Sequence, residues 1–320
     1  MTVSMRRGLI KMSLSSGVLG AMLLGLSVGK VCKPECIDAV IYLALFLMLY
    51  PPMLDVDFAG VKRVFTEPLL VTAALFLNFL VSPLLIFGLL HLFVGSSGLH
   101  LMLGIILYGT VPGGGMAPAF TGMLRGNVNL SVTISAIGSI LSLGFVPLWA
   151  KCLIGTQMAV PALLIFRRLC FIIVIPLILA ALTRRIVLGR MGESLALLVK
   201  ERIQVLSGVG LCLLVFTMSL LYGDRVLNEP LLILRIAAPV TAFLMIMFLI
   251  SGLLGKIFRS RPEDTLALTL STTAKNNAIS LALAFSTFGA DAALVNAIAG
   301  PLVQLPILLG FVALKRGKTI

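Results

Sequence analysis

Two long apolar segments of the chain are each interrupted by residues that a continuous helix does not accommodate. The first segment, at about 98–124, contains two prolines and three glycines within residues 111–118. The second, at about 265–288, contains the polar sequence Ser-Thr-Thr-Ala-Lys-Asn-Asn at 271–277. Prolines and glycines disrupt helices, and short hydroxyl and amide side chains compete for backbone hydrogen bonds. The interruptions lie about 160 residues apart, half of the 320-residue chain, and such a pair of interrupted helices indicates a secondary transporter.

Composition places this pattern in a membrane. Hydrophobic residues make up 59% of the sequence and charged residues 12%, a balance typical of integral membrane proteins. The formal net charge of +13 would suit a nucleic-acid-binding protein, but the basic residues lie in short segments between apolar runs. Because that distribution follows the positive-inside rule, we exclude nucleic acid as a partner and expect the lipid bilayer instead.

Hydropathy and helix-terminating residues predict an all-α integral membrane protein with ten transmembrane helices. Asn127 and Asp291 are expected to cap the fifth and tenth helices, and a basic loop at about 184–202 is expected between the sixth and seventh. Five helices per half is an odd number, so the two repeats, at about 1–155 and 156–320, must be inverted relative to each other. The predicted helices cover residues 1–29, 37–52, 67–93, 98–124, 127–154, 160–182, 203–222, 230–257, 265–288 and 291–314.

The basic residues also predict the orientation of these helices. With the N-terminus inside the cell, 17 Lys and Arg residues fall on the cytoplasmic side and 7 on the outer side. The excess of positive charge inside predicts that both termini are cytoplasmic. We expect the protein in a bacterial inner membrane.

Lys275 is the residue on which the predicted function depends. It lies 14 residues beyond Arg261, the predicted cytoplasmic edge, and that length of helix rises roughly 21 Å, close to the midplane. A charge at that depth indicates a functional role, although a lysine that reaches an interface or only joins two helices is the alternative. Hydroxyl and amide groups nearby could bind the solute or only connect helices. The candidate solute or coupling residues are Lys275, Asn276, Asn277, Ser271, Thr272, Thr273, Gly113, Gly114, Gly115, Pro118, Thr121, Ser131 and Ser135.

Short motifs along nearly the whole chain resemble the superfamily of bile acid:sodium symporters and arsenite permeases. Residues 50–54 (YPPML) and 300–306 (GPLVQLP) resemble the arsenite permeases, whereas 111–114 (VPGG) and 125–132 (RGNVNLSV) resemble the bile-acid branch. The resemblance implies a panel domain of helices 1, 2, 6 and 7 and a core domain of helices 3–5 and 8–10. It also implies that helices 4 and 9 are discontinuous and cross at their breaks, where the site is formed.

The chain departs from both branches at residues that the resemblance assigns to the site. Ala119 stands where arsenite permeases have a cysteine, and the sequence AIS at 278–280 replaces the region of their glutamate. Sodium-coupled members have a Ser-Asn pair in place of Ala-Pro at 117–118, an acid in place of Ser271 and a glutamine-like residue in place of Lys275. All 12 acidic residues lie in predicted loops or at helix ends, so a hard cation would have no carboxylate ligand at membrane depth.

These observations predict a secondary active transporter of a small organic anion that works by alternating access. Lys275 would replace the cation, either as a fixed charge or as a group that carries a proton, so transport is expected to be independent of sodium. The expected partners are a small-molecule solute, the bilayer and, in the second case, a proton. The sequence contains no set of residues typical of an intramembrane enzyme, and we expect no catalytic residue, metal site or cofactor.

Two other functions remain open. An arsenite or other metalloid efflux permease would need Cys170 or Cys212 in place of the missing thiol. A non-transporting membrane sensor would need an output domain, which we do not expect from this sequence. Cys32 and Cys36 are expected in one loop, where they could bind a soft metal, form a disulfide or remain free thiols.

Overall fold

The computed structural model describes residues 17–18, 20–29, 37–54, 68–94, 98–155, 162–187 and 190–317. Cys32 and Cys36, and the part of the predicted first helix before residue 17, lie outside these ranges. The described helices are α1 (Gly20–Gly29), α2 (Ile37–Met53), α3 (Pro68–Phe93), α4 (Leu99–Thr110), α5 (Met116–Met123), α6 (Val128–Ile154), α7 (Ala162–Ile186), α8 (Glu193–Asn228), α9 (Pro230–Ile257), α10 (Pro262–Thr273), α11 (Asn277–Phe288) and α12, which comprises Ala290–Ile298, Ala299–Gln304 and Leu305–Gly317.

Several of these helices are long and apolar enough to cross a bilayer. By length and composition they are α3, α6, α7, α9, most of α12 and the part of α8 at Leu198–Asp224. The helices α1, α2, α4 and α11 are apolar but shorter. The prediction of an all-α integral membrane protein is therefore confirmed, while the ten spans in two inverted repeats stay a prediction.

Three of the described helices contain a π-helical segment, in which the backbone hydrogen bonds run from residue i to residue i+5. The segments are Leu77–Val81 in α3, Cys170–Val174 in α7 and Ala299–Gln304 in α12. Such a segment turns the side chains that follow it toward a different face of the helix. Those in α3 and α12 each contain an amide side chain that matters below.

One compact unit comprises Met1–Leu54 and Pro176–Leu232. In this unit glycines let helices approach closely, because a Cβ at Gly25 of α1 would lie 2.4 Å from Phe216 O of α8. A Cβ at Gly210 of α8 would lie 2.7 Å from Ala44 O of α2. Helices α1 and α2 therefore both pack on the backbone of α8.

A second compact unit comprises Asp55–Ile175 and Ile233–Ile320. It contains α3 to α6, the first part of α7, most of α9, and α10 to α12, and hence both interrupted segments. The boundary between the units passes through α7 at Ile175. The predicted panel and core domains, and the predicted repeats, stay predictions.

The interruption of both segments is confirmed, but each break is shorter than predicted. Helix α4 ends at Thr110 and α5 begins at Met116, so Pro118 lies in the first turn of α5, where the missing N–H of proline is tolerated. Helix α10 continues through Thr273, and α11 begins at Asn277. Residues 271–273 are therefore helical, because their hydroxyl groups do not suffice to end the helix.

One of the two predicted helix caps is wrong. Asn127 caps α6, and its side-chain oxygen accepts a hydrogen bond from Leu130 N at 3.0 Å. The cap before α12 is Gly289, not Asp291, which lies in the first turn of the helix. Gly289 has a φ of 85°, which glycine adopts without the steric cost that a side chain would add.

The predicted basic loop at 184–202 is also wrong for most of its length. Arg184 and Arg185 lie in the last turn of α7, which ends at Ile186. Lys200 and Arg202 lie within α8, which begins at Glu193. Long basic side chains can extend to water from the end of a helix, so a cluster of charges does not require a loop.

Candidate functional site

The two breaks meet and share backbone hydrogen bonds. Gly114 N donates to Ala274 O at 3.0 Å, and Asn276 N donates to Pro112 O at 2.9 Å. Between these bonds, Gly113 and Lys275 form an antiparallel β-bridge. Helix ends leave backbone N–H and C=O groups without an intrahelical partner. Each break therefore provides hydrogen bonds for such groups of the other break.

Glycine is required for this approach. A Cβ at Gly113 would lie 2.0 Å from Ser271 O, and a Cβ at Gly114 would lie 2.8 Å from Cβ of Asn276. Gly115 has a helical conformation as the N-cap of α5 and is exposed. The first break thus brings backbone rather than side chains to the second.

Lys275 lies at the centre of the second break and is fully buried. Its Nζ donates to Asn78 Oδ1 at 2.9 Å and lies 5.6 Å from the centroid of the Phe243 ring. Among the residues that the structure describes, no carboxylate pairs with it. An ammonium group has three N–H donors, so two of them have no described partner.

A chain of buried polar groups continues from Lys275. Asn78, in the π-helical segment of α3, donates from Nδ2 to Ser271 O at 3.1 Å. The Ser271 and Ser131 hydroxyl groups form a hydrogen bond of 2.8 Å. Asn78, Ser131, Ser271 and Lys275 are all fully buried. The chain joins α3, α6 and α10 to the break.

A second chain reaches Lys275 from its backbone. Gln304, at the end of the π-helical segment of α12, donates from Nε2 to Lys275 O at 3.1 Å. Tyr108 of α4 donates from its hydroxyl group to Gln304 Oε1 at 2.6 Å. Asn78 therefore contacts the side chain of Lys275, and Gln304 contacts its backbone carbonyl.

Comparison with known proteins identifies the family. The family model of the sodium bile acid symporter family matches residues 42–229, more than half of the chain. This chain belongs to that family. Since its members are transporters, the protein is a membrane transporter, and the predicted superfamily is confirmed.

Individual relatives agree with this assignment. The chain is 27% identical over 317 residues to the arsenical-resistance protein Acr3 of Corynebacterium glutamicum, covering 93% of this chain and 80% of the relative. It is 23% identical to the arsenical-resistance protein Acr3 of Alkaliphilus metalliredigens, covering 95% of this chain and 92% of the relative. It is also 24% identical to an uncharacterized transporter of Synechocystis, covering 84% of this chain and 76% of the relative.

Within this transporter, some of the predicted site residues come together and others do not. Lys275, Ser271, Ser131, Gly113, Gly114 and Asn276 take part in the contacts between the breaks or in the chain from Lys275. Ser135 reaches Gly114 O only at 3.4 Å. Asn276 also caps α11, accepting from Ile279 N at 3.3 Å.

The remaining predicted threonines face their own helices. Thr272 donates to Leu268 O at 3.0 Å, and Thr273 donates to Thr269 O at 2.7 Å. Thr121 donates to Ala117 O at 2.8 Å. Hydrogen bonds to the preceding turn satisfy these hydroxyl groups locally.

Asn277 differs from these residues because its side chain is unsatisfied. It is 2% exposed, and among the described residues neither amide atom has a hydrogen-bond partner. The amide packs against Gly300, where a Cβ would lie 2.1 Å from Asn277 Nδ2. A buried amide without partners is rare in native proteins, so Asn277 is a candidate contact for a polar group of the solute.

Four residues of the site were not predicted: Asn78, Phe243, Tyr108 and Gln304. Asn78 and Gln304 are amides within predominantly apolar helices, and an intramembrane polar residue is by default a candidate for function. That signal was present in the sequence. No sequence signal distinguishes Phe243 and Tyr108 from other aromatic residues of the core.

Proposed function

We propose that this protein is a secondary active transporter of a small organic anion, and that Lys275 supplies the positive charge for it. The proposal is carried by one observation: Lys275 is fully buried, and no described carboxylate pairs with it. Charges within a membrane protein are normally paired, because an isolated buried charge is costly. An anionic solute would provide the missing partner.

The helix ends at the breaks support an anion. Helices α5 and α11 both begin there, and the N-terminus of a helix carries a partial positive charge. The first turn of α5 has no side-chain cap, whereas Asn276 caps α11. Both N-termini would attract a carboxylate.

The Asn277 amide supports a solute that also has a polar group. Leaving a buried amide unpaired costs about 1–3 kcal/mol, which a solute able to donate and accept hydrogen bonds would offset. A carboxylate can accept from the Asn277 Nδ2 group, and a solute that also has a hydroxyl group could donate to Oδ1.

The groups near Lys275 support sodium independence. Where the resemblance implies an acid, Ser271 has a neutral hydroxyl group that is already bonded to Ser131. Where it implies a glutamine-like residue, the Lys275 ammonium donates to Asn78. A cation attached to the chain thus takes the place of a dissolved one, either as a fixed charge or as a group that carries a proton.

The wider architecture belongs to the same proposal. We place ten spans in two inverted repeats in a bacterial inner membrane, with both termini cytoplasmic, and alternating access at the breaks. The paired interruption of the two segments and the excess of basic residues on one side support this arrangement.

Uptake of radiolabelled benzoate, pyruvate and acetate into proteoliposomes tests the proposal. We expect uptake of at least one of them to continue when sodium is replaced by potassium at constant pH and membrane potential. Lys275→Gln should lower the apparent affinity at least about tenfold, or about 1.4 kcal/mol. The matched control is Lys256→Gln, because Lys256 is exposed in the last turn of α9.

Two outcomes contradict parts of this proposal. Uptake that collapses without sodium would show that a sodium site exists. Wild-type affinity together with wild-type dependence on pH in Lys275→Gln would leave Lys275 a structural residue.

Metalloid efflux is a second candidate, favoured by the names of two relatives. The described contacts of Lys275 include no thiol, and Cys170 lies in the π-helical segment of α7. We expect expression of the protein not to protect an arsenite-sensitive host. Protection that is lost in Cys170→Ser or Cys212→Ser would replace the anion proposal.

A further inference from the structure

Tyr108 contacts two residues that in turn contact Lys275: Gln304, which reaches the Lys275 carbonyl, and Phe243, which lies near the Lys275 ammonium. Its hydroxyl group donates to Gln304 Oε1 at 2.6 Å, and the Gln304 amide donates to Lys275 O at 3.1 Å. Its ring forms a T-shaped pair with Phe243, with ring centroids 6.1 Å apart and an interplanar angle of 76°. Phe243 in turn faces the Lys275 ammonium at 5.6 Å.

The Lys275 carbonyl belongs to the break and is outside the hydrogen-bond ladder of a helix. Its flanking residues have non-helical dihedral angles, with ψ of 74° at Ala274 and 77° at Asn276. The carbonyl accepts from Asn277 N at 2.9 Å and from Gln304. The N–H group of the same peptide, Asn276 N, donates to Pro112 O at 2.9 Å, so Gln304 and Pro112 are the two contacts from outside this break that orient the peptide.

The position of the ammonium depends on that peptide. Among the described residues, the Nζ atom has one hydrogen-bond acceptor, Asn78, which fixes one end of the side chain. The other end is fixed by the backbone that Gln304 contacts. A rotation of this peptide would move the ammonium relative to Asn78 and Phe243.

We infer that Tyr108 and Gln304 are positioning residues for Lys275, and that they set the affinity for the anion without contacting it. The inference rests on the proposed function, because it requires that Lys275 bind the solute. A structural tie between α4 and α12 is the other interpretation, since buried tyrosine hydroxyl groups and amides generally find partners. The two interpretations differ in whether the effect depends on the Lys275 side chain.

Tyr108→Phe tests the inference because it keeps the ring and removes only the hydroxyl group. The matched control is Tyr50→Phe, since Tyr50 OH forms a comparable 2.8 Å hydrogen bond with Thr183 Oγ1 in the other compact unit. Affinity for benzoate, measured from its effect on the melting temperature of the solubilised protein, should fall about three- to tenfold in Tyr108→Phe. It should be unchanged in Tyr50→Phe.

A double-mutant cycle with Lys275→Gln separates positioning from structure. We expect Tyr108→Phe to have no further effect on benzoate affinity in the Lys275→Gln background, because no ammonium is left to position. Gln304→Met should behave in the same way as Tyr108→Phe and serves if that variant does not fold. Benzamide, the neutral analogue of benzoate, should bind with the same affinity to wild type and to Tyr108→Phe.

The failures of the two proposals can be distinguished. Suppose that Lys275→Gln lowers benzoate affinity. If Tyr108→Phe then has no effect, or lowers the affinity by the same factor in the wild type and in Lys275→Gln, only the positioning inference is overturned. If Lys275→Gln binds benzoate as the wild type does, the proposed role of Lys275 fails, and the positioning inference fails with it.

Discussion

The two breaks differ in what they contribute. The first, at residues 111–115, consists of Val-Pro-Gly-Gly-Gly and offers carbonyl and N–H groups to its partner. The second, at residues 274–276, consists of Ala-Lys-Asn and contributes a buried ammonium group and an amide cap. The first break makes a close approach possible, and the second contains the buried charged group.

This difference explains why the two breaks have unlike sequences despite their shared hydrogen bonds. At the first, any side chain on Gly113 would collide with the backbone at Ser271. At the second, the Lys275 side chain extends to Asn78 in α3 and is accommodated there. A change in the first break should therefore act on folding, and a change around the second should act mainly on binding.

Gly113→Ala should have the largest effect. The new Cβ would lie 2.0 Å from Ser271 O, so the two breaks would have to separate, at a cost of about 3 kcal/mol. We expect a large fall in the melting temperature and in the yield of monodisperse protein. Gly144→Ala is the control, because no atom lies within 4 Å of a Cβ at that position. A melting temperature near that of the wild type would show that the breaks do not touch.

Asn78→Leu should have the next largest effect. It removes the hydrogen-bond acceptor of the Lys275 ammonium and should lower the free energy of unfolding by about 2 kcal/mol. Adding Lys275→Met should restore stability, because an apolar pair can replace a buried polar pair, but it should not restore benzoate affinity. Benzoate binding by the stable double variant would contradict the role of the ammonium.

Ser271→Ala should have a smaller effect. It removes the hydroxyl pair with Ser131 and should cost about 1 kcal/mol of stability. Ser131→Ala should cost about the same, and the double variant should cost less than the sum, which thermal unfolding can measure. Additive losses would indicate that the two hydroxyl groups act independently.

Thr121→Val should have the smallest effect. The hydroxyl group is buried but donates to Ala117 O in its own helix, so its removal should cost about 0.5 kcal/mol. Benzoate affinity should be unchanged, as measured by the same thermal shift. A loss of benzoate affinity as large as that expected for Lys275→Gln would indicate that Thr121 contacts the solute.

The interrupted helices could be predicted from sequence because their signals are local. Prolines and glycines at 112–118 and polar residues at 271–277 stand out against apolar surroundings. The Asn127 cap was likewise a local pattern. Where a local pattern allowed two outcomes, as at Asp291 beside Gly289, the prediction failed because the glycine's positive φ determined the helix start.

The partners of Lys275 could not be predicted in the same way. Asn78 is 197 residues away in sequence, and Tyr108 is 196 residues from the Gln304 that it contacts. Such contacts depend on how the helices pack and on the π-helical segments that orient Asn78 and Gln304. Neither is encoded in a pattern of neighbouring residues.

If Lys275 supplies the positive charge for the anion, as proposed, its covalent attachment to the chain also limits the energy source for transport. A dissolved cation that is released on the far side of the membrane transfers the energy of its own gradient to the solute, whereas an attached one cannot. If its charge is fixed, each monovalent anion that crosses moves one net negative charge, worth about 2.3 kcal/mol per 100 mV of membrane potential. Such a carrier would favour outward movement of the anion from a cell that is negative inside, or one-for-one exchange. Accumulation inside would require that Lys275 release a proton in every cycle.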